Sequence, residues 1–89
     1  MSVVMQHRVP GMTKEQYRQV MATNGDALTA ARGFRAHYGV FDDAGIFTAV
    51  EVWDTADDHN RFYDKYIRPY LEAGTPPPEF AQIEDQRVR

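Results

Sequence analysis

Cysteine is absent from this sequence, which excludes disulfide bonds and every thiolate metal site. A chain of 89 residues forms one domain over 1–89, with a core that is marginal without help. Such help comes from disulfides, a metal or a partner subunit. Because the three histidines, His7, His37 and His59, share no tight spacing, no structural metal is expected. The sequence therefore favours a homodimer.

Long apolar runs and clustered basic residues are also missing. No run approaches the roughly 20 residues of a membrane span, and the first residues lack the basic and apolar stretches of a signal peptide. The net charge of −3 and the scattered basic residues disfavour nucleic-acid binding. We expect a cytoplasmic protein with no membrane or nucleic-acid partner, which the lack of cysteine also suits.

Hydrophobic periodicity and turn residues predict strand, helix, strand, strand, helix, strand, the ferredoxin-like β-α-β-β-α-β order of an α+β domain. In chain order the predicted elements are strand 3–9, a helix from Thr13 to Gly33, strand 34–41, strand 46–53, a helix from Thr55 to about Arg68, and strand 80–88. Thr13 and Gln16 have the spacing of a capping box, and Thr55 is a second N-cap. Pro69 is expected to kink or end the second helix.

The third strand is apolar on both faces, and this carries the argument for a dimer. Side chains alternate along a strand. One face therefore holds Phe47, Ala49, Glu51 and Trp53, and the other holds Ile46, Thr48, Val50 and Val52. Two helices cover only one side of a four-stranded sheet, and an exposed apolar patch of this size is rare on a monomer. A second copy packed about a two-fold axis would cover it, although a central strand with one wet face is the alternative.

Two segments resemble the antibiotic-biosynthesis-monooxygenase-like (ABM) branch of the dimeric α/β-barrel superfamily. They are Gly33-Phe34-Arg35-Ala36-His37-Tyr38 at the second strand and Glu51-Val52-Trp53-Asp54-Thr55 at the end of the third. The resemblance implies two four-stranded sheets packed as a barrel at a dimer interface. It also implies a small apolar pocket between the sheet and helices of each protomer. The branch includes oxygenases that use neither metal nor flavin, haem-degrading enzymes, and relatives that act as cyclases or isomerases.

The candidate catalytic residues are His37, His7 and Glu51. The resemblance places Trp53 in the pocket wall, where an indole could stack on a flat ligand, although a core tryptophan would look the same. Glu51 shares the face of Trp53 and should be partly buried, either as a general base or as a structural glutamate bound by backbone amides or an arginine. His37 shares a face with Arg35 and Gly39, and both His37 and His7 could titrate near neutral pH or be core residues.

The second helix carries the other candidates. Phe62, Tyr63 and Tyr66 share a helical face and are candidate substrate-binding residues or simple core. His59 lies in the first turn, where the helix dipole would lower its pKa, and is expected to be a surface or capping residue.

No catalytic set of the resembled families is complete in this chain. Haem-degrading relatives have an axial histidine where this chain has Tyr63, and an asparagine where it offers Gln6 or His7. The oxygenases have an asparagine at the position of Ala49. The related plant cyclase has a histidine at the position of Thr48.

The sequence supports two classes of function. The first is a cofactor-independent monooxygenase acting on a small aromatic or polyketide-like substrate, or a cyclase or isomerase of the same superfamily, with a histidine base that makes a carbanion. The second is a non-catalytic homodimer that binds a small apolar or aromatic ligand, because fold alone does not fix function.

Overall fold

The computed structural model describes residues 2–89 and has the predicted order of elements. The strands are β1 (Val3–Val9), β2 (Phe34–Phe41), β3 (Phe47–Trp53) and β4 (Glu79–Gln82), and the helices are α1 (Lys14–Thr29) and α2 (Ala56–Tyr66). The strands form one antiparallel sheet in the order β2-β3-β1-β4. This confirms the predicted fold class.

Both helices begin where the sequence predicts. The Thr13 hydroxyl accepts from the backbone N–H of Gln16 at 3.1 Å, and the Gln16 side chain accepts from the Thr13 N–H at 3.0 Å, which completes the capping box. Thr55 caps α2 by accepting from the Asp58 N–H. These side chains satisfy amide donors that the first helical turn leaves unpaired.

The prediction that Gly33 stops α1 is wrong. The helix ends at Thr29, and Gly33 lies instead in a turn, closed by the Phe34 N–H donating to the Ala31 carbonyl. Its φ of 82° is the left-handed conformation that glycine adopts without strain. Gly33 therefore starts β2 rather than stopping α1.

The predicted last strand, 80–88, is too long. β4 covers only Glu79–Gln82, and Gln82 pairs with Val3, the first residue of β1. The Ile83 N–H donates to the Ser2 carbonyl, but neither of these residues belongs to a strand. At the end of α2, Pro69 lies in a single 3₁₀ turn, Arg68–Tyr70, after the helix has ended at Tyr66.

The helices cover one face of the sheet, and that face holds the core. β3 alternates strictly, with Phe47, Ala49, Glu51 and Trp53 buried and the three residues between them half-buried. In β2 a bulge shifts the register between Phe34 and Ala36, and Arg35 is exposed and bound to Asp54 at 2.7 Å. The expectation that Arg35 shares the face of His37 is therefore wrong.

Candidate functional site

A carboxylate and an imidazole meet on the covered face of the sheet. His37 of β2 lies directly opposite Glu51 of β3 in the antiparallel register. Residues opposite each other in such a pair bring their side chains together. His37 Nδ1 lies 2.6 Å from Glu51 Oε2, and Glu51 is only 7% exposed. The strand register, rather than a loop, fixes this pair.

Tyr17 of α1 extends the pair into a line of three groups. Its hydroxyl lies 2.7 Å from His37 Nε2, and the two rings stack with centroids 6.0 Å apart. Because the carboxylate accepts from Nδ1–H, Nε2 is the acceptor and the phenol donates to it. Burial raises the pKa of Tyr17, and the Glu51 charge raises it further. The phenol therefore keeps its proton at neutral pH.

Trp53 supports Glu51 from behind. Its indole N–H donates to Glu51 Oε1 at 2.9 Å, and its side chain is fully buried against Leu28, Phe34 and Phe62. The structural interpretation of Glu51 expected backbone amides or an arginine as partners, but the partners are His37 and Trp53.

His59 is not the surface residue that its place in the first turn of α2 suggested. It is 2% exposed, with Nδ1 bonded to Asn60 Oδ1 and Nε2 lying 3.9 Å from Glu51 Oε1. Its ring stacks on Tyr63 and meets Trp53 edge-on, because His59 lies on the apolar face of α2. Burial lowers the pKa of His59, and the Asn60 hydrogen bond and the Glu51 charge only partly oppose this.

His7 lies across the site from His37 and has a different role. Its Nε2 donates to the Pro76 carbonyl at 2.6 Å, which fixes the crossover before β4 onto β1. Burial lowers the pKa of His7, with the Pro76 hydrogen bond opposing that shift. His7 therefore uses its Nε2–H group to hold the crossover in place.

These groups surround an apolar cavity of about 50 Å³ between the sheet and the helices. His7, His37, Glu51, Phe62 and Tyr63 all line it, together with Tyr17 and His59. Burial raises the pKa of the Tyr63 phenol, with the Arg68 charge acting against it.

Two of the predicted pocket residues lie outside this cavity. Trp53 is behind Glu51, and Tyr66 stacks on Phe62 on the outer side of α2 and borders a separate surface groove. Tyr66 and Trp53 thus support the wall that Phe62 forms rather than facing the space themselves.

No metal site emerges from the described part of the chain. Within residues 2–89 no group of three or more histidine, aspartate or glutamate side chains is arranged to hold an ion. Across the same residues, neither helix has the length and apolar character to cross a bilayer.

Comparison by sequence finds no matching family model and no matching curated protein. Solved structures match over nearly the whole chain. Rv0793 from Mycobacterium tuberculosis matches with a TM-score of 0.70 at 10% identity, covering 99% of this chain and 100% of its own. A protein from Chloroflexus aurantiacus, provisionally named an antibiotic biosynthesis monooxygenase, matches with a TM-score of 0.67 at 14% identity over 99% and 98% of the two chains. One of the same provisional name from Bordetella bronchiseptica matches with a TM-score of 0.60 at 15% identity over 92% and 94%.

The chain has the ABM-like fold. At 10–15% identity this likeness extends to the fold and not to substrate or activity. What distinguishes this chain from those structures is therefore sought in the side chains described above.

Two members of the site, Tyr17 and His59, were not among the residues predicted to act. Tyr17 belongs to the apolar stripe of α1, where an aromatic residue is usually core. A signal was present in Gly39, two residues after His37 on the same face of β2, since a glycine in a strand often marks a close approach by another group. A β-carbon at Gly39 would overlap the Tyr17 hydroxyl.

Proposed function

We propose that this ABM-like chain is a cofactor-independent enzyme that removes a proton from a small, largely apolar substrate. The observation that carries the proposal is the hydrogen-bonded line Glu51–His37–Tyr17 beside an apolar cavity. A carboxylate on Nδ1 orients an imidazole and stabilises the imidazolium that forms when Nε2 takes a proton. His37 is favoured over His7 as the base because its Nδ1 is bonded to a carboxylate, whereas the ring hydrogen bond of His7 goes to the neutral Pro76 carbonyl.

Tyr17 gives the base its contact with the substrate. Its Oη takes the proton from an acidic C–H while its own proton passes to His37 Nε2, and Glu51 stabilises the charged ring. The product is a carbanion whose charge is spread onto an adjacent carbonyl. After the transfer the phenol carries the substrate's proton and can donate it in a hydrogen bond to that oxygen, which stabilises the charge.

The carbanion has two outcomes. In the monooxygenase version it reacts with dioxygen to give a hydroperoxide, which loses water and leaves a carbonyl, so that one oxygen atom enters the product. In the cyclase version it attacks a carbonyl of the same molecule and is then protonated. The named relatives from Chloroflexus aurantiacus and Bordetella bronchiseptica favour the first version.

Deuterium exchange tests the common step. The probe is 1-tetralone, a bicyclic aromatic ketone with an acidic C–H beside its carbonyl, followed by proton NMR in heavy water. His37→Gln should slow the enzyme-catalysed exchange about 10²–10⁴-fold, the usual worth of a general base. His7→Gln is the matched control and should change the exchange rate less than about tenfold. Exchange by His37→Gln at the wild-type rate would refute the assignment of His37 as the base. Oxygen consumption, measured with an oxygen electrode, distinguishes the monooxygenase version from the cyclase version.

Ligand binding without catalysis is the second candidate, and the incomplete catalytic sets of the resembled families favour it. The cavity of about 50 Å³ is smaller than the ~150 Å³ of an engineered cavity that binds benzene, so a substrate or a ligand must enlarge it. If 1-tetralone raises the melting temperature of the wild-type protein but undergoes no catalysed exchange, the protein is a binder.

We also propose a homodimer formed through the open face of the sheet. Tyr38 is 61% exposed and Val40 51% exposed on this face, next to Val50 and Val52. Contiguous apolar surface of this kind marks an interaction site, and the two-fold packing that the resemblance implies would bury it. A cytoplasmic location agrees with the lack of cysteine.

A further inference from the structure

A second depression adjoins the apolar cavity and shares part of its wall. It has a volume of about 330 Å³ and lies between the outer side of α1 and the segment that follows α2. Four residues line both spaces: Val9, Met12, Val20 and Leu71. We call this depression the outer groove.

Met12 and Leu71 are the thin part of the shared wall. Both are only half-buried, and both pack on the edge of the cluster around Val9 and Phe47 rather than inside it. Methionine is unbranched and adapts easily to a change of shape. Leu71 lies just after the 3₁₀ turn Arg68–Tyr70, outside both helices. Rotation of these two side chains would join the cavity to the groove and give a space within the usual ~300–1,000 Å³ of ligand sites.

The two spaces differ in chemistry. The cavity wall is apolar apart from the few polar groups near Tyr17 and His37. The outer groove presents Gln16, Gln19 and Thr23 from α1, one behind the other at helical spacing, and Glu72 and Thr75 from the opposite side. Among residues 2–89, Glu72 is the only charged residue that lines the groove, and none of the ion pairs there includes it.

We infer that the ligand of this site is an amphipathic small molecule that spans both spaces. Its apolar head, carrying a hydroxyl or carbonyl, reaches Tyr17 and His37, and its polar tail, uncharged or cationic, lies in the outer groove beside Glu72. Met12 and Leu71 form the gate between head and tail. This inference rests on the proposed function in one respect: the head is the part of the ligand from which His37 removes a proton.

NMR titration of the full chain tests the inference without requiring turnover. The probes are tyramine, 4-hydroxyphenylacetamide and 4-hydroxyphenylacetate, which share a phenol head and carry a cationic, neutral and anionic tail. The head alone is represented by p-cresol. Tyramine and the amide should shift backbone amide signals of both His37 and Thr23, and tyramine should bind roughly fivefold more tightly than the acetate, the upper worth of one exposed ion pair. The p-cresol control should shift His37 and leave Thr23 unchanged.

Two variants sharpen the test. Glu72→Gln should remove the preference for the cationic tail, whereas Glu84→Gln, an exposed carboxylate that lines neither space, should preserve it. Leu71→Trp should abolish the His37 shifts by filling the gate. If its amide spectrum shows unfolding, Glu72→Gln alone decides.

The inference is overturned if the tailed probes bind no better than p-cresol, if their affinities do not depend on tail charge, or if they shift only groove amides. None of these results touches the role of His37, because the exchange assay with 1-tetralone measures that role separately.

Discussion

At the scale of single residues, the missing side chain of Gly39 decides where Tyr17 lies. A β-carbon there would overlap the Tyr17 hydroxyl and approach the Phe47 ring to 3.1 Å. The φ of Gly39 is not positive, so its backbone does not require glycine and the close approach is the physical reason for it. The glycine is thus a positioning residue for the bond between Tyr17 and His37.

Gly39→Ala should therefore move the phenol away from His37 Nε2. We expect the overpacking to cost about 1–3 kcal/mol of unfolding free energy. The exchange rate with 1-tetralone should fall, as it should in Tyr17→Phe, which lacks the hydroxyl that contacts His37. Gly25→Ala in α1 is the matched control. A β-carbon there would make only an ordinary contact with Met21 Cε at 4.0 Å, and the substitution should stabilise the protein by about 0.5–1 kcal/mol with no change in exchange rate. A Gly39→Ala protein that exchanges normally would show that Tyr17 does not serve His37.

His59 predicts how stability depends on pH. Its pKa in the folded protein lies below the ordinary 6.5 because burial disfavours the charged ring. The unfolded chain therefore binds more protons as the pH falls below about 6.5, and stability must fall with it. The loss of unfolding free energy from this group is at most about 1.4 kcal/mol per pH unit.

His59→Phe keeps an aromatic ring against Tyr63 and Trp53. Its unfolding free energy, measured with urea, should fall less steeply between pH 7.5 and 5.5 than that of the wild-type protein. If the unfolding free energy falls equally steeply with pH in both proteins, the prediction is contradicted. The fall that remains in His59→Phe should reflect His7, because burial lowers its pKa in the same way.

At the scale of elements, the two helices depend on their N-terminal threonines. Each hydroxyl satisfies a backbone donor that the helix leaves unpaired, at 3.1 Å for Thr13 and 3.0 Å for Thr55. Thr13→Ala and Thr55→Ala should each lower the unfolding free energy by about 1 kcal/mol. Thr29→Ala is the control, since its hydroxyl only donates to the carbonyl of Asp26 in the last turn of α1 and should matter by less than about 0.5 kcal/mol. Chemical denaturation measures all three, and equal losses at the three sites would argue against the capping role.

At the scale of the whole molecule, the open face of the sheet should hold two chains together. Light scattering should give twice the chain mass of 10.2 kDa at micromolar concentration. Val50→Lys places a charge at the centre of the face, opposite Tyr38, and should give a monomer, whereas Lys65→Glu on the far side of α2 should leave the dimer intact. A wild-type protein that scatters as a single chain would refute the homodimer.

Much of the fold could be predicted because its signals are local. Thr13 with Gln16, Thr55, and the alternation of β3 are patterns within a few residues, and each depends on backbone hydrogen bonding or on which side of a strand faces water. The end of α1 and the length of β4 were predicted wrongly because neither is local. The turn at Gly33 depends on the entry of β2 into the sheet, and the end of β4 depends on its pairing with Val3, the first residue of β1.

By itself, the sequence determined the element order, the covered face of β3 and the presence of Glu51 on that face. Only the tertiary structure decided what Glu51 meets. His37 is opposite it because of the β2–β3 register, Tyr17 reaches His37 because Gly39 leaves room, and His59 is buried because α2 lies on the sheet with that face inward. The physical reason is that alternation and capping act between neighbours in the chain, whereas these contacts join residues that only packing brings together.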